Sequence, residues 1–326
     1  MPGGQVPHHT ADQEEKSLKQ WQFRAKEPDP KSVPTESWWK RIGIWVALLV
    51  LLGTAFFVSA FMLLRYQGDY QQVQQLGREM ADAYHAQPTA APEEPSTQEA
   101  STASQADHGS LFLKEKPYPN NPYHIVQPQL RVLRQTNRDI VGWLSIEGLM
   151  EHPVVQRDHT YYLDHDASGA ANLNGAIFMN SATRLQNRPN TILLYGHNMK
   201  TGAMFGALRN YENEAFYHAN PFITFNSLYE EGEYVIFSVA HISVNPADRR
   251  YVDLNKLQSS TIAWRSEALN RLRLFSAYMN YVPVQPDDQL LLLVTCIGDG
   301  DDRRVVAARR FRDNEGRDYL SSLIRQ

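Results

Sequence analysis

The chain holds one cysteine, Cys296, and it ends an aliphatic run, Leu290-Leu-Leu-Leu-Val-Thr-Cys296, that is closed by Gly298-Asp299-Gly300. A continuous apolar segment of this length, bounded by turn residues, reads as a strand covered on both faces, with the thiol at its carboxyl end. Past the polar loop, Arg303-Arg304-Val305-Val306-Ala307-Ala308-Arg309 reads as a second strand, so a thiol and at least one guanidinium share the mouth of a hairpin-like unit. A cysteine thiolate is a nucleophile and needs a neighbour that takes and returns a proton. Free cysteine is also among the most buried of side chains, so an inert core thiol fits the same run.

The imidazole with a matching context is His197. It stands in Asn190-Thr-Ile-Leu-Leu-Tyr-Gly-His-Asn-Met199, where a short apolar strand runs into a polar loop. His152, His159, His165, His218 and His241 lack that setting and read as packed or surface histidines. Arg303 and Arg304 compete for the basic role, and because neighbouring strand residues point to opposite faces, only one of them can face the thiol. Arg304, Arg309 and Arg310 then read as solvated charges. A single cysteine excludes an internal disulfide and a thiolate-rich metal site. No His-x-x-x-His pair or calcium loop stands out, and no cofactor is expected. Asp299, Asp301 and Asp302 read as a solvated turn, with substrate-loop electrostatics and a calcium site as alternatives.

The elements that must carry these groups are mostly strands. Val141 to Ser145, His152 to Gln156, Ala176 to Met179, Thr191 to Tyr195, Glu233 to Ala240, Gln289 to Cys296 and Arg304 to Phe311 have strand character, separated by Gly-, Asn- and Asp-rich turns. A first helix is expected at Gln129 to Asn137. A second falls within Ser260 to Tyr281, where Ile262, Leu269, Leu272, Phe275 and Met279 share one face. The expected fold is mainly β, a predominantly antiparallel barrel with few helices.

Strand, Tyr-Gly-His-Asn-Met, Lys200-Thr-Gly-Ala-Met-Phe-Gly-Ala-Leu208 and a Thr-Cys strand end followed by Arg together resemble the sortases, class B in particular. The likeness extends through Asn137-Arg-Asp-Ile-Val-Gly-Trp-Leu-Ser-Ile-Glu-Gly148, His152-Pro-Val-Val-Gln156, Tyr161-Tyr-Leu-Asp-His165 and Asn174-Gly-Ala-Ile-Phe178, so it covers the chain from about Gln129 onward. It implies a closed barrel of sortase type, with an N-terminal helix and a helix in the connection before the last two strands. It also implies roles: Cys296 attacks the carbonyl of a substrate threonine, His197 protonates the departing amine, and Arg303 stabilises the oxyanion or orients the substrate backbone. Arg303 matches the family's R-x-V-V-x-A arginine when Val305-Val306 and Ala308 are aligned, which leaves Arg304 where an apolar residue is usual.

Residues 1–41 are polar and read as a disordered cytoplasmic tail. Residues 42–64 carry no charge and are long enough to cross a hydrocarbon core of about 30 Å. Seven Lys and Arg precede this span and only Arg65 and Arg78 follow closely, which keeps the N-terminus in the cytoplasm and the rest outside. Residues 65–110 read as a stalk and flexible linker, with Val73, Leu76, Met80 and Tyr84 at helical spacing, and 111–326 as the catalytic domain. A net charge of −4 gives no basic field for nucleic acid. The expected function is a membrane-anchored cysteine transpeptidase. Its partners would be sorting-signal-bearing surface proteins or pilins and an amine acceptor such as a peptidoglycan precursor. A catalytically silent binding scaffold and a plain cysteine protease remain the alternatives.

Overall fold

The aliphatic run ending at Cys296 is one of eight strands of a closed barrel. The computed structural model describes residues 38–86, 111–114, 116–298 and 300–325, and the expected tail up to residue 37, the expected linker at 87–110 and Asp299 lie outside the described residues. The strands are β1 (Ile140–Ile146), β2 (Met150–Val155), β3 (Ile177–Met179), β4 (Thr191–Tyr195), β5 (Phe222–Ser227), β6 (Glu233–Ser243), β7 (Leu290–Cys296) and β8 (Asp302–Arg310). Around the barrel they run β1-β2-β3-β4-β7-β8-β6-β5, and β5 closes onto β1. The β2/β3 and β4/β7 pairs are parallel and the others antiparallel.

The parallel pair β4/β7 explains the two most apolar runs in the domain. Strands covered on both faces cannot alternate, so Ile192 to Leu194 and Leu290 to Leu293 are all buried. The fifth strand, β5, was not among those expected. Its alternation is clear in place, with Ile223, Phe225 and Ser227 buried and the residues between them half-exposed, but six residues with Thr224 and Asn226 give a weak apolar signal.

Among the described residues six α-helices accompany the barrel: α1 (Trp38–His85), α2 (Pro128–Thr136), α3 (Glu214–Ala219), α4 (Asn255–Gln258), α5 (Ile262–Leu274) and α6 (Arg317–Ile324). The expected helix before the last two strands is α5, between β6 and β7, but it stops at Leu274 and leaves Met279 exposed. Its inward face carries Arg265 as well as Ala268, Leu269 and Leu272. The Arg265 guanidinium is fully buried and donates to Thr191 Oγ1 (2.7 Å) and to the carbonyls of Leu257 and Asp288, the latter at 3.0 Å. Carbonyl partners satisfy the donors but supply no counter-charge, and burial lowers this arginine to about 10.

Two units are distinguished, Met1–Met62 and Leu63–Gln326. Within the first, the described helix is apolar with a mean hydropathy of 2.5 over its best window, which makes α1 the one helix among the described residues long and apolar enough to cross a membrane. Within the second, the part of α1 from Leu63 onward packs on the barrel. Val73, Met80 and Tyr84 are buried, Tyr84 stacks on Trp143 with 4.6 Å between ring centroids, and its hydroxyl accepts from Asn226 at 2.7 Å. The packed body therefore starts well before Leu111, because the spaced apolar face read as a stalk finds an apolar surface on β1 and β2.

Arg309 and Arg310 are not solvated charges. Arg309 is fully buried and forks onto Glu315 at 2.6 and 2.8 Å, with Nε on the Pro283 carbonyl, while Arg310 pairs with Glu230 at 3.2 Å. The carboxylate partners lie far along the chain or in the following turn, so strand position alone does not reveal them.

Candidate active site

Three strand ends meet at one level of the barrel. The β4/β7 ladder pairs Tyr195 with Val294, so two residues later Cys296 ends β7 while His197 lies in the loop just past the end of the parallel strand β4. The β7/β8 ladder pairs Cys296 directly with Arg303. Residues paired across a ladder point to the same face, so Arg303 shares the face of the thiol and Arg304, paired with Thr295, takes the other. Cys296 is exposed.

Each side chain has a defined surrounding. His197 Nε2 lies 2.7 Å from the carbonyl oxygen of Leu163, and a carbonyl only accepts. Nε2 therefore carries the hydrogen and Nδ1 is left to exchange a proton. Leu163 ends a short 3-10 turn, Tyr161–Leu163, in the β2–β3 connection. Gly175 lets the returning chain pass closely over that turn: its φ is +63°, and a Cβ there would meet the Tyr162 and Leu163 oxygens at 2.5 and 2.9 Å. The same connection is gripped by α1, whose Asp69 accepts from the Leu173 amide at 3.3 Å and from Asn172 through its carbonyl at 3.0 Å.

Arg303 Nη1 donates to the carbonyls of Gly300 (2.8 Å) and Asp302 (2.9 Å), and among the described residues these contacts leave Nη2 and Nε uncommitted. Its charge also reaches Tyr195, whose phenol burial raises above the usual value while Asn180 and Arg303 oppose that rise. The loop between β7 and β8 is tied to the chain after β6, because Asp301 accepts from Asn245 (3.2 Å) and Asp302 pairs with Arg250 (2.8 Å). Neither acidic residue is a free turn charge.

Arg304 departs from the sequence reading. Its side chain is only 3% exposed and pairs with Glu212, while Nε and Nη1 have no partner among the described residues. The Phe205–Glu212 segment covers this face of the barrel, which turns an expected solvated charge into a buried one. His241, opposite Arg304 in the β6/β8 register, is lowered by burial first and by the Arg304 charge second.

The other imidazoles are engaged elsewhere. His159 Nε2 contacts Ser181 Oγ at 2.7 Å, His165 lies on Tyr161 at 4.0 Å and contacts Asp164, and His218 is 4.0 Å from Glu214. His152 lies on β2 beside the buried face of α1. Among the described residues no group of three His, Cys, Asp or Glu could hold a metal ion.

Two participants escaped the sequence. The Leu163 carbonyl is backbone and carries no residue signal. Asn198 donates through Nδ2 to the Cys296 carbonyl at 2.9 Å, and its only sequence signal is its place next to His197.

The Sortase domain family model matches residues 144–311. Sortase B of Listeria monocytogenes is 30% identical over 173 residues, covering 52% of this chain and 68% of that protein. Sortase B of Staphylococcus aureus is 33% identical over 115 residues, 35% of this chain and 47% of its own length. Among solved structures, sortase B from B. anthracis in complex with AAEK1 superposes with a TM-score of 0.58 at 24% identity, over 75% of this chain and 98% of that one, a likeness of fold. The Staphylococcus aureus sortase B–substrate complex gives 0.51 at 26% identity, over 58% and 88%.

Proposed function

The chain belongs to the sortase family, among its class B members, and on that premise we propose that it is a membrane-anchored transpeptidase whose nucleophile is Cys296, with His197 as acid and base and Arg303 at the oxyanion. The family's cysteine transpeptidases act on surface proteins. The observation that carries the residue assignment is the register: Cys296 is the ladder partner of Arg303, and His197 leaves the neighbouring parallel strand at the same level.

The chemistry follows from what each group can do. The Cys296 thiolate attacks the carbonyl of a substrate threonine, and negative charge builds on the carbonyl oxygen. A guanidinium stays charged at every relevant pH and donates in a fixed fork, so the Nη2 and Nε donors of Arg303 suit that oxygen. His197, held through Nε2, gives its Nδ1 proton to the departing amine, and the acyl group remains as a thioester on Sγ. An incoming amine returns a proton to Nδ1 as it attacks the thioester, which restores the thiolate and forms a new amide. The amine belongs to a cell-wall precursor or to a pilin lysine.

Residues 42–64 anchor the chain, with the N-terminus in the cytoplasm and the barrel outside. The supporting observation is the excess of Lys and Arg before the span. The test is to incubate the full-length chain in detergent with a sorting-signal peptide and a free amine. Cleavage with an amide product, lost in Cys296→Ala, is expected. Cleavage with release to water alone would make it a protease, and no turnover would leave a binding scaffold.

A further inference from the structure

The ladder that aligns β4 and β7 ends at Tyr195 and Val294, two residues before the pair that must react together. Backbone pairing therefore does not set the spacing of His197 and Cys296. Two side chains continue it instead. Thr295 Oγ1 donates to the carbonyl of Gly196 at 2.7 Å, and Asn198 Nδ2 donates to the carbonyl of Cys296 at 2.9 Å. The residue before His197 and the residue after it are thus both fastened to the end of β7.

Asn198 is held at its other end. Its Oδ1 accepts from Arg209 Nη2 at 3.2 Å, and the same Nη2 donates to the Met199 carbonyl at 3.3 Å. The amide has one chemically consistent orientation, since the guanidinium only donates and the carbonyl only accepts. Arg209 stands on a braced element. Phe205, Leu208 and Tyr211 of the Phe205–Glu212 turn are fully buried, and Gly206 lies so close to the Met199 carbonyl that a Cβ would collide with it. Asn198 itself is half-exposed, so it adds little to the core.

We propose that Asn198, oriented by Arg209, is a positioning residue that sets the distance between the His197 imidazole and the Cys296 thiol. The inference rests on the functional reading above. Displacing reacting groups by about 1 Å can cost on the order of 100-fold in rate. A bond from the residue beside the imidazole to the main chain of the nucleophile controls that displacement directly.

The experiment uses the full-length chain in detergent and two readouts, turnover of a sorting-signal peptide and alkylation of Cys296 by iodoacetamide. Asn198→Ala should lower kcat by about 10–100-fold with KM within about twofold, and Arg209→Ala by about 3–10-fold, because the amide then loses its orientation but keeps its donor. Alkylation separates positioning from general damage. Asn198→Ala should slow it about fivefold or more when His197 is present and less than about twofold in a His197→Ala background, since a residue that acts through His197 has nothing to position there. Equal slowing in both backgrounds, or an unchanged kcat in both single variants, overturns the proposal. If Asn198→Ala does not fold, the same cycle with Arg209→Ala decides. A parent chain that alkylates normally yet cleaves no sorting-signal peptide would sink the functional reading and leave the alkylation cycle to judge the positioning.

Discussion

Cys296 and Arg303 face each other as a directly paired couple across the β7/β8 ladder, while Arg304, one residue on, is turned away and buried against Glu212. The alternation of a strand thus separates two adjacent arginines into different jobs.

For Arg303 the expected consequence is catalytic. Arg303→Ala should remove about 3 kcal/mol of transition-state stabilisation, roughly two to three orders of magnitude in rate, at nearly unchanged melting temperature. Arg303→Lys should recover part of this, since an ammonium keeps the charge and loses the fork. Peptide cleavage at saturating substrate is the measurement, and full activity in the alanine variant would remove the guanidinium from the oxyanion.

For Arg304 the expected consequence is structural, and its sign depends on which partner is changed. The guanidinium is desolvated with two nitrogens unpartnered among the described residues, so Arg304→Met should be neutral or stabilising by about 1–4 kcal/mol. Glu212→Ala removes the counter-charge and leaves the arginine buried alone, and because the Glu212 side chain is itself 50% exposed the cost should fall below the roughly 3–5 kcal/mol of a fully buried pair, at about 1–3 kcal/mol. Urea unfolding of both variants compares them, and a methionine variant less stable than the glutamate one would contradict the account.

How far the sequence reached can be read from particular residues. The ends of β4 and β7 were legible because two uniformly apolar runs break into Gly-His-Asn and Ile-Gly-Asp, and burial on both faces leaves no other strand pattern. What was hidden depends on partners remote in the chain. Arg265 looks like the polar side of an amphipathic helix until carbonyls of Leu257, Asp288 and Pro286 surround it. Arg304 looks solvated until Glu212 arrives from 92 residues away. The helical segment after the apolar span looks like a stalk until Trp143 offers a ring to Tyr84. Composition records what a residue is, and burial of a charge depends on what a distant segment brings to it.

The docking of α1 is open to direct test. Tyr84 is buried, stacks on Trp143 and holds Asn226, so Tyr84→Ala should cost about 3–5 kcal/mol of local stability. The loss should appear as faster hydrogen exchange in residues 65–86, with the amides of β7 unchanged. Because Asp69 of the same helix grips Asn172 and Leu173 in the connection that also carries the Leu163 carbonyl, turnover should fall a few-fold as well. Uniform protection of 65–86 in the variant would show that the stack does not hold the helix.

Acid should loosen the same contact through His152. This imidazole is held below its usual 6.5, to about 4, by burial, with the Glu151 charge opposing. It lies beside a void of about 20 Å³ shared with Leu76, Met80 and Asp166. The folded protein thus binds the proton less readily than the unfolded chain does. The stabilisation is complete above pH 6.5 and is lost as pH falls from 6.5 towards 4. Each pKa unit corresponds to about 1.4 kcal/mol, and partial solvent access to the residue reduces the total to about 1–3 kcal/mol. Melting temperature measured at pH 7, 5.5 and 4.5 should therefore drop more steeply in the parent chain than in His152→Gln, which cannot take up the proton. Parallel pH profiles for the two chains would mean that this histidine does not report on acid stability.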